Sequence, residues 1–261
     1  MALVVLKFGG TSLANPARIK RAAKRVRAHL RQGKRVVAVV SATGQTTDKI
    51  LNWLDAVGAH NSREYDRALA TGEDLSATLL ASALAALDVR AQSLRGGEAG
   101  LRAAGAFGAG KLAHLDTTHI NTLLDHGIVP VVSGFQAQRA DGETVTLGRG
   151  GSDATAVFIA GVLNAEACHI ITDVNAVCDV DPNTSPAAIP LPELTHDALV
   201  EITEAGGEVV QPAAARFAQA YHTKLFVYHY SAPNFSFQGT EVSGTRPLAK
   251  SPTRFVAQRA S

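Results

Sequence analysis

Arg149, Gly150, Gly151, Ser152 and Asp153 set a guanidinium, two glycines, a hydroxyl and a carboxylate in five consecutive positions. They lie in "TLGRGGSDATA" (Thr146 to Ala156), where a strand-like segment gives way to a helical one. An arginine so placed can grip a carboxylate with two parallel hydrogen bonds. Asp153, at the start of the helical segment, could hold a lysine or help position Mg²⁺, or it could simply cap the helix. The stretch is not the dinucleotide-binding G-x-G-x-x-G, because Asp153 occupies its sixth position.

Two further turns use the same chemistry. In "VVLKFGGTS" a strand ends at Lys7, followed by Gly9, Gly10 and two hydroxyls before a helix expected from about Asn15-Pro16. Glycines at such a turn let backbone N–H groups approach a phosphate, and the helix N-terminus favours negative charge. The lysine can neutralise charge that develops during transfer. In "VVSATGQTTDK" (39–49) small residues and hydroxyls again join a strand to a helix, capped near Thr46 or Thr47. Hydroxyls and helix-end amides suit a carboxylate or phosphate. Ligands of open α/β sheets collect at the C-terminal ends of the strands. Three such turns together therefore imply a site for phosphates beside a small carboxylate.

The elements that must position these turns follow from hydrophobic patterning. Strands are expected at 3–7, 35–40, 89–94, 128–133, 168–172 and 224–228, with amphipathic, alanine-rich helical segments in most of the intervals. Continuous apolar strands alternating with helices indicate a mostly parallel sheet covered on both faces. The stretch 134–148 breaks the pattern and reads as a β-hairpin turning at Asp141-Gly142. Beyond about Thr245, Pro, Ser, Lys and Arg without periodicity imply a disordered tail over 246–261.

Composition bounds the remaining classes. The 261 residues are 46% hydrophobic and carry a formal net charge of +2, which calls for neither nucleic acid nor an anionic membrane as partner. No apolar run reaches the roughly 18 residues of a membrane span. Cys168 and Cys178 form no C-x-x-C and fit two free thiols in the cytoplasm. Nine Lys and Arg between 18 and 35 fall opposite Ile19, Ala22, Ala23, Val26 and Leu30, so they read as the solvated face of a packed helix. "GAFGAGKL" (105–112) approaches a P-loop. It places Leu112 where a Mg²⁺-binding hydroxyl is needed, and helix-like residues rather than a strand precede it, so it is rejected.

Taken in order, "KFGGTS", "VSATGQTTD", "ATGEDLS" (70–76), "GFQAQ…TLGRGGSDATAV" and "ITDVNAVCDVDPN" (171–183) resemble the aspartate kinases of the amino acid kinase superfamily. The resemblance covers about residues 1–245. It implies a three-layer α/β/α sandwich with a mainly parallel central sheet. The implied reaction is Mg²⁺-dependent phosphorylation of L-aspartate by ATP, giving 4-phospho-L-aspartate. By that likeness Lys7 stabilises the transferring phosphoryl group, Asp153 orients Lys7, and the amides of Gly9 and Gly10 hold phosphate. Ser41, Thr47, Glu73, Arg149 and Ser152 line the amino-acid pocket, Glu73 taking the ammonium and Arg149 the carboxylate. Thr172, Asp173 and Asp181 contact the nucleotide. No dedicated protein metal site is expected. A homodimer is implied, as is a chain without the C-terminal ACT domains of this family.

Departures gather on the nucleotide side. The kinases read Asp-Gly-Val-Tyr and then Asp-Pro-Arg, where this chain has Asn175-Ala176-Val177-Cys178 and then Asp181-Pro182-Asn183. A lysine that contacts ATP is replaced by Glu208, with Arg216 or Lys111 as candidate substitutes. Two alternatives follow: a kinase of the same fold with another donor or acceptor, and a protein that binds aspartate or a partner chain without catalysis.

Overall fold

The computed structural model describes residues 1–58, 62–180, 185, 187–207, 209–234 and 239–244. Asp181, Pro182, Asn183, Glu208 and the 246–261 tail therefore lie outside the described residues.

In chain order the elements are β1 (Leu3–Phe8), a 3-10 turn (Thr11–Leu13), α1 (Pro16–Arg31), β2 (Arg35–Val40), α2 (Thr46–Ala56) and α3 (Ser62–Ala85). Then come β3 (Ala91–Leu94), β4 (Leu101–Ala104), β5 (Lys111–Leu115), α4 (Thr118–Asp125), β6 (Val129–Ser133), β7 (Gln136–Gln138) and β8 (Thr144–Thr146). The chain continues through α5 (Gly151–Val162), β9 (Ala167–Thr172), β10 (Glu193–Leu194), α6 (His196–Glu204), α7 (Pro212–Tyr221), β11 (Leu225–His229) and β12 (Gly239–Val242). All six strands expected from sequence are present.

Among the described residues the main sheet has eight strands in the order β10-β12-β11-β9-β1-β2-β6-β3. Only β11 and β12 pair antiparallel. The register of β1, Val4 against Val36 and Ala167, sets it between β2 and β9. Alternation along β1 then divides the interior. Val4, Leu6 and Phe8 pack with α1 and α3 residues such as Ile19, Val26 and Leu80. Val5 packs on the other face with Val157, Ile159 and Ala214 of α5 and α7. Helices cover both faces of the sheet, as apolar parallel strands require.

The helix starts follow local chemistry. Asn15 caps α1 by accepting from the Arg18 N–H at 3.0 Å, with Pro16 at the first helical position. α2 differs from expectation: Gln45 is its N-cap and no side chain caps it, because the Thr46 hydroxyl bonds back to the Thr43 carbonyl. The stripe of charge on α1 also has an exception. Arg25 is buried, with its guanidinium 5.0 Å from the centre of the Tyr228 ring and bonded to the Ala232 carbonyl.

A smaller sheet, ordered β5-β4-β7-β8, carries the expected hairpin as β7 and β8. It also corrects one expectation. The residues before "GAFGAG" are the strand β4, not helix: Leu101 and Ala103 are buried and Ala104 is exposed, a two-residue period four residues long. The P-loop stays excluded, since the strand β5 follows the glycines where a P-loop needs a helix.

Candidate active site

The C-terminal ends of β1 and β2 place their two turns together. The Gly44 N–H donates to the Gly10 carbonyl at 2.9 Å, and a Cβ on Gly10 would lie 2.5 Å from the Ala42 carbonyl oxygen. Two backbones this close need glycine at position 10. The third turn arrives from β8 and starts α5. Gly148 and Gly150 adopt left-handed φ of 72° and 75°, which fold the chain sharply enough for Gly151 to begin the helix. The N-cap of α5 is Gly150, so Asp153 is released from capping.

Around these turns lies a cavity of about 500 Å³. Its lining includes Lys7, Gly10, Ser41, Thr47, Glu73, Arg149, Ser152 and Asp153. Lys7 shares the parity of Val5 along β1, which aims it at α5. Its Nζ lies 2.5 Å from Asp153 Oδ1, and both side chains are about nine-tenths buried. A buried ion pair of this kind holds the ammonium at a fixed point, and removing either partner would strand the other charge.

Glu73, on the buried face of α3, accepts the Ala42 N–H through Oε1 at 2.9 Å. Its Oε2 is buried and without a hydrogen-bond partner among the described residues. Burial outweighs the Ala42 amide and the nearby Lys7 charge, pushing the carboxyl up to about 7. A buried acceptor with a bare oxygen is costly unless a ligand supplies a donor. Arg149 is exposed and makes no ion pair among the described residues. The cavity thus offers one open guanidinium, one bare carboxylate oxygen and one anchored ammonium.

The Amino acid kinase family model matches residues 2–229. The chain belongs to that family. It is 42% identical over 228 residues to an aspartokinase of Geobacillus stearothermophilus, covering 87% of this chain and 56% of the relative. It therefore spans little more than half the length of the curated relatives it matches. An aspartate kinase structure from Synechocystis superposes with a TM-score of 0.80 at 35% identity, over 94% of this chain and 40% of that one. Aspartokinase III of E. coli, in complex with aspartate and ADP, superposes with a TM-score of 0.85 at 25% identity, over 94% of this chain and 65% of that one.

Within this amino acid kinase fold, all five residues assigned to the amino-acid pocket, with Lys7, Gly10 and Asp153, meet at one cavity. Gly9 does not supply a free amide. Its N–H donates to the Ile171 carbonyl at 2.9 Å, so its place is in closing β1 onto β9. Thr172 and Asp173 lie at the end of β9 and outside the cavity lining; the Thr172 hydroxyl donates to Asp173 Oδ1 at 3.1 Å. Of the two candidate substitutes for the missing lysine, one is engaged in an ion pair and the other is exposed. Arg216 bonds Glu204 through Nε and Nη2 at 3.1 and 2.7 Å, and Lys111 is exposed on β5.

Phe135 and Gly44 also line the cavity, and sequence reasoning missed both. Phe135 carries a left-handed φ of 66°, unusual for a bulky residue, and no sequence signal marks it.

Proposed function

We propose that this amino acid kinase transfers the γ-phosphoryl group of ATP to the side-chain carboxylate of L-aspartate. The supporting observation is the cavity in which Arg149, the bare Glu73 oxygen and the Lys7–Asp153 pair occur together. Arg149, with Ser152, takes the α-carboxylate and Glu73 the ammonium, leaving the side-chain carboxylate to react. In the transfer, a carboxylate oxygen forms a bond to the γ-phosphorus as the bond from phosphorus to the ADP oxygen breaks. Lys7 neutralises the charge on the moving group, while Gly10, whose N–H has no acceptor among the described residues, offers a phosphate donor. Similarity to an aspartokinase solved with aspartate and ADP supports the same assignment.

Among the described residues no group of three or more His, Cys, Asp and Glu side chains is arranged to hold a metal. Mg²⁺ would enter with the nucleotide, whose phosphates would supply oxygen ligands and whose charge it would help neutralise. Thr172, Asp173 and Asp181 belong to the nucleotide side of this reading, and a cytoplasmic homodimer to its wider frame.

A second reading, a protein that binds aspartate and transfers nothing, is favoured by one observation. At the position of the kinases' tyrosine stands Cys178, half-buried and bridged to Pro190. The two readings separate when ADP release from Mg-ATP is measured across L-aspartate, D-aspartate, L-glutamate, L-asparagine and UMP. Release dependent on L-aspartate is expected. Release with another acceptor would replace the substrate, and calorimetric aspartate binding without any release would favour the second reading.

A further inference from the structure

Asp66, on α3, is 1% exposed and lies outside the cavity lining. Its Oδ2 accepts from the N–H groups of Gly108 at 2.9 Å and Thr146 at 2.8 Å, and its Oδ1 accepts from the Thr146 hydroxyl at 2.8 Å. One carboxylate thereby joins three segments: α3, the end of β8, and the glycine turn between β4 and β5. That turn is tied to β8 a second time, by the Gly110 N–H donating to the Thr146 carbonyl at 2.8 Å. It also lies against the catalytic glycine stretch, for a Cβ on Gly148 would sit 3.5 Å from the Gly108 carbonyl oxygen.

The sequence distances give this brace a consequence. Asp66 precedes Glu73 by seven residues, about two helical turns, so both share the buried face of α3. Thr146 precedes Arg149 by three residues, with the left-handed Gly148 between them. The helix that carries the ammonium acceptor is thus tied through Asp66 to the strand that delivers the guanidinium. Hydrogen bonds to an ionised acceptor fix distance and angle more sharply than apolar contact does.

We propose that Asp66 is a positioning residue: it sets the separation of Glu73 and Arg149, and with it the grip of the cavity on the ammonium and α-carboxylate of its amino acid. The role rests on the functional reading above. It is separable from the anchoring of α3 itself, because Asp74 on the same helix accepts from the Ser133 hydroxyl at 2.8 Å and from Gln136 Nε2 at 3.0 Å. Loss of Asp66 leaves that second attachment in place.

The experiment compares wild type with Asp66→Ala, Thr146→Val and Thr146→Ser. Alanine removes all three bonds to the carboxylate, valine removes only the hydroxyl bond, and serine keeps it. Three quantities are read: KM for aspartate and for ATP, the preference for aspartate over glutamate, and amide hydrogen exchange across the chain. Asp66→Ala should raise KM for aspartate by about tenfold to a hundredfold. KM for ATP should stay constant, and so should the preference for aspartate over glutamate, since both acids carry the same ammonium and α-carboxylate. Exchange should quicken at 147–153 and at 105–110 but not in β1 or β2. Thr146→Val should show the same changes more weakly, and Thr146→Ser should match wild type.

Parallel changes in both KM values, or faster exchange throughout the fold, would mean a general structural role and overturn the proposal. If wild type turns over no amino acid, the functional reading fails, and local exchange alone then decides the brace. Unchanged protection at 147–153 in Asp66→Ala would overturn it in that case as well.

Discussion

Glu73 concentrates the tension between stability and binding in one side chain. Its carboxyl titrates near 7 in the folded protein, against about 4.5 when unfolded, because burial penalises the charged form. The folded state therefore holds the extra proton between these values. The stabilising contribution is full below about 4.5 and is lost as pH rises through 7. Each pH unit separating the folded from the unfolded titration is worth about 1.4 kcal/mol, so the charged form at pH 8 costs on the order of a few kcal/mol. Glu73→Gln, which keeps an oxygen for the Ala42 N–H, should raise the melting temperature at pH 8 and change it little at pH 4.5. Aspartate affinity should run the other way. Wild type should bind more tightly from pH 6 to pH 8 as the carboxylate forms, while Glu73→Gln binds weakly and without that pH dependence. Calorimetry beside thermal denaturation checks both, and a pH-independent affinity in wild type would remove Glu73 from the ammonium site.

α1 reaches the sheet partly through a pair of imidazoles, His29 buried and His169 half-buried. His29 and His169 meet edge to face at 5.2 Å, with His169 stacked on Phe226 at 5.0 Å. Burial first, then neighbouring positive charge, lowers His29 to about 4 and His169 to about 3. Unfolded histidine titrates near 6.5, so the unfolded chain binds protons first. The stabilising contribution is present above about 6.5 and is lost as pH falls toward 4. Denaturant midpoints measured from pH 7 to 4.5 should fall in wild type and fall less in His169→Phe. Equal slopes would mean the imidazoles are not buried as neutral rings.

At this scale the sequence is legible wherever a pattern is local. Alternation places β1 and points Lys7 away from Leu6 and Phe8. The run from Arg149 to Asp153 puts its chemistry in adjacent positions. What depends on distant partners is hidden: Thr146 bonds Asp66 across 80 residues, and Ile171 takes up the Gly9 amide. β4 escapes a reading from sequence because four residues give too short a period to tell strand from helix.

The molecule as a whole assembles its site from both faces of the main sheet and from the small sheet beside it. α3 contributes Glu73 from one face, α5 contributes Asp153 from the other, and β8 delivers Arg149. Neither face alone completes the cavity, so one ligand placed there reports on all three layers. The direct measurement is a hydroxylamine trap for an acyl phosphate, run with ATP, Mg²⁺ and L-aspartate on wild type and on Lys7→Ala verified as folded by circular dichroism. Aspartyl hydroxamate should form with wild type and fall by at least about 10²–10³-fold in the variant, the usual loss when a preorganised charge-stabilising contact is removed. Hydroxamate formed equally by Lys7→Ala, or no hydroxamate from wild type that binds both ligands, would contradict phosphoryl transfer at this site.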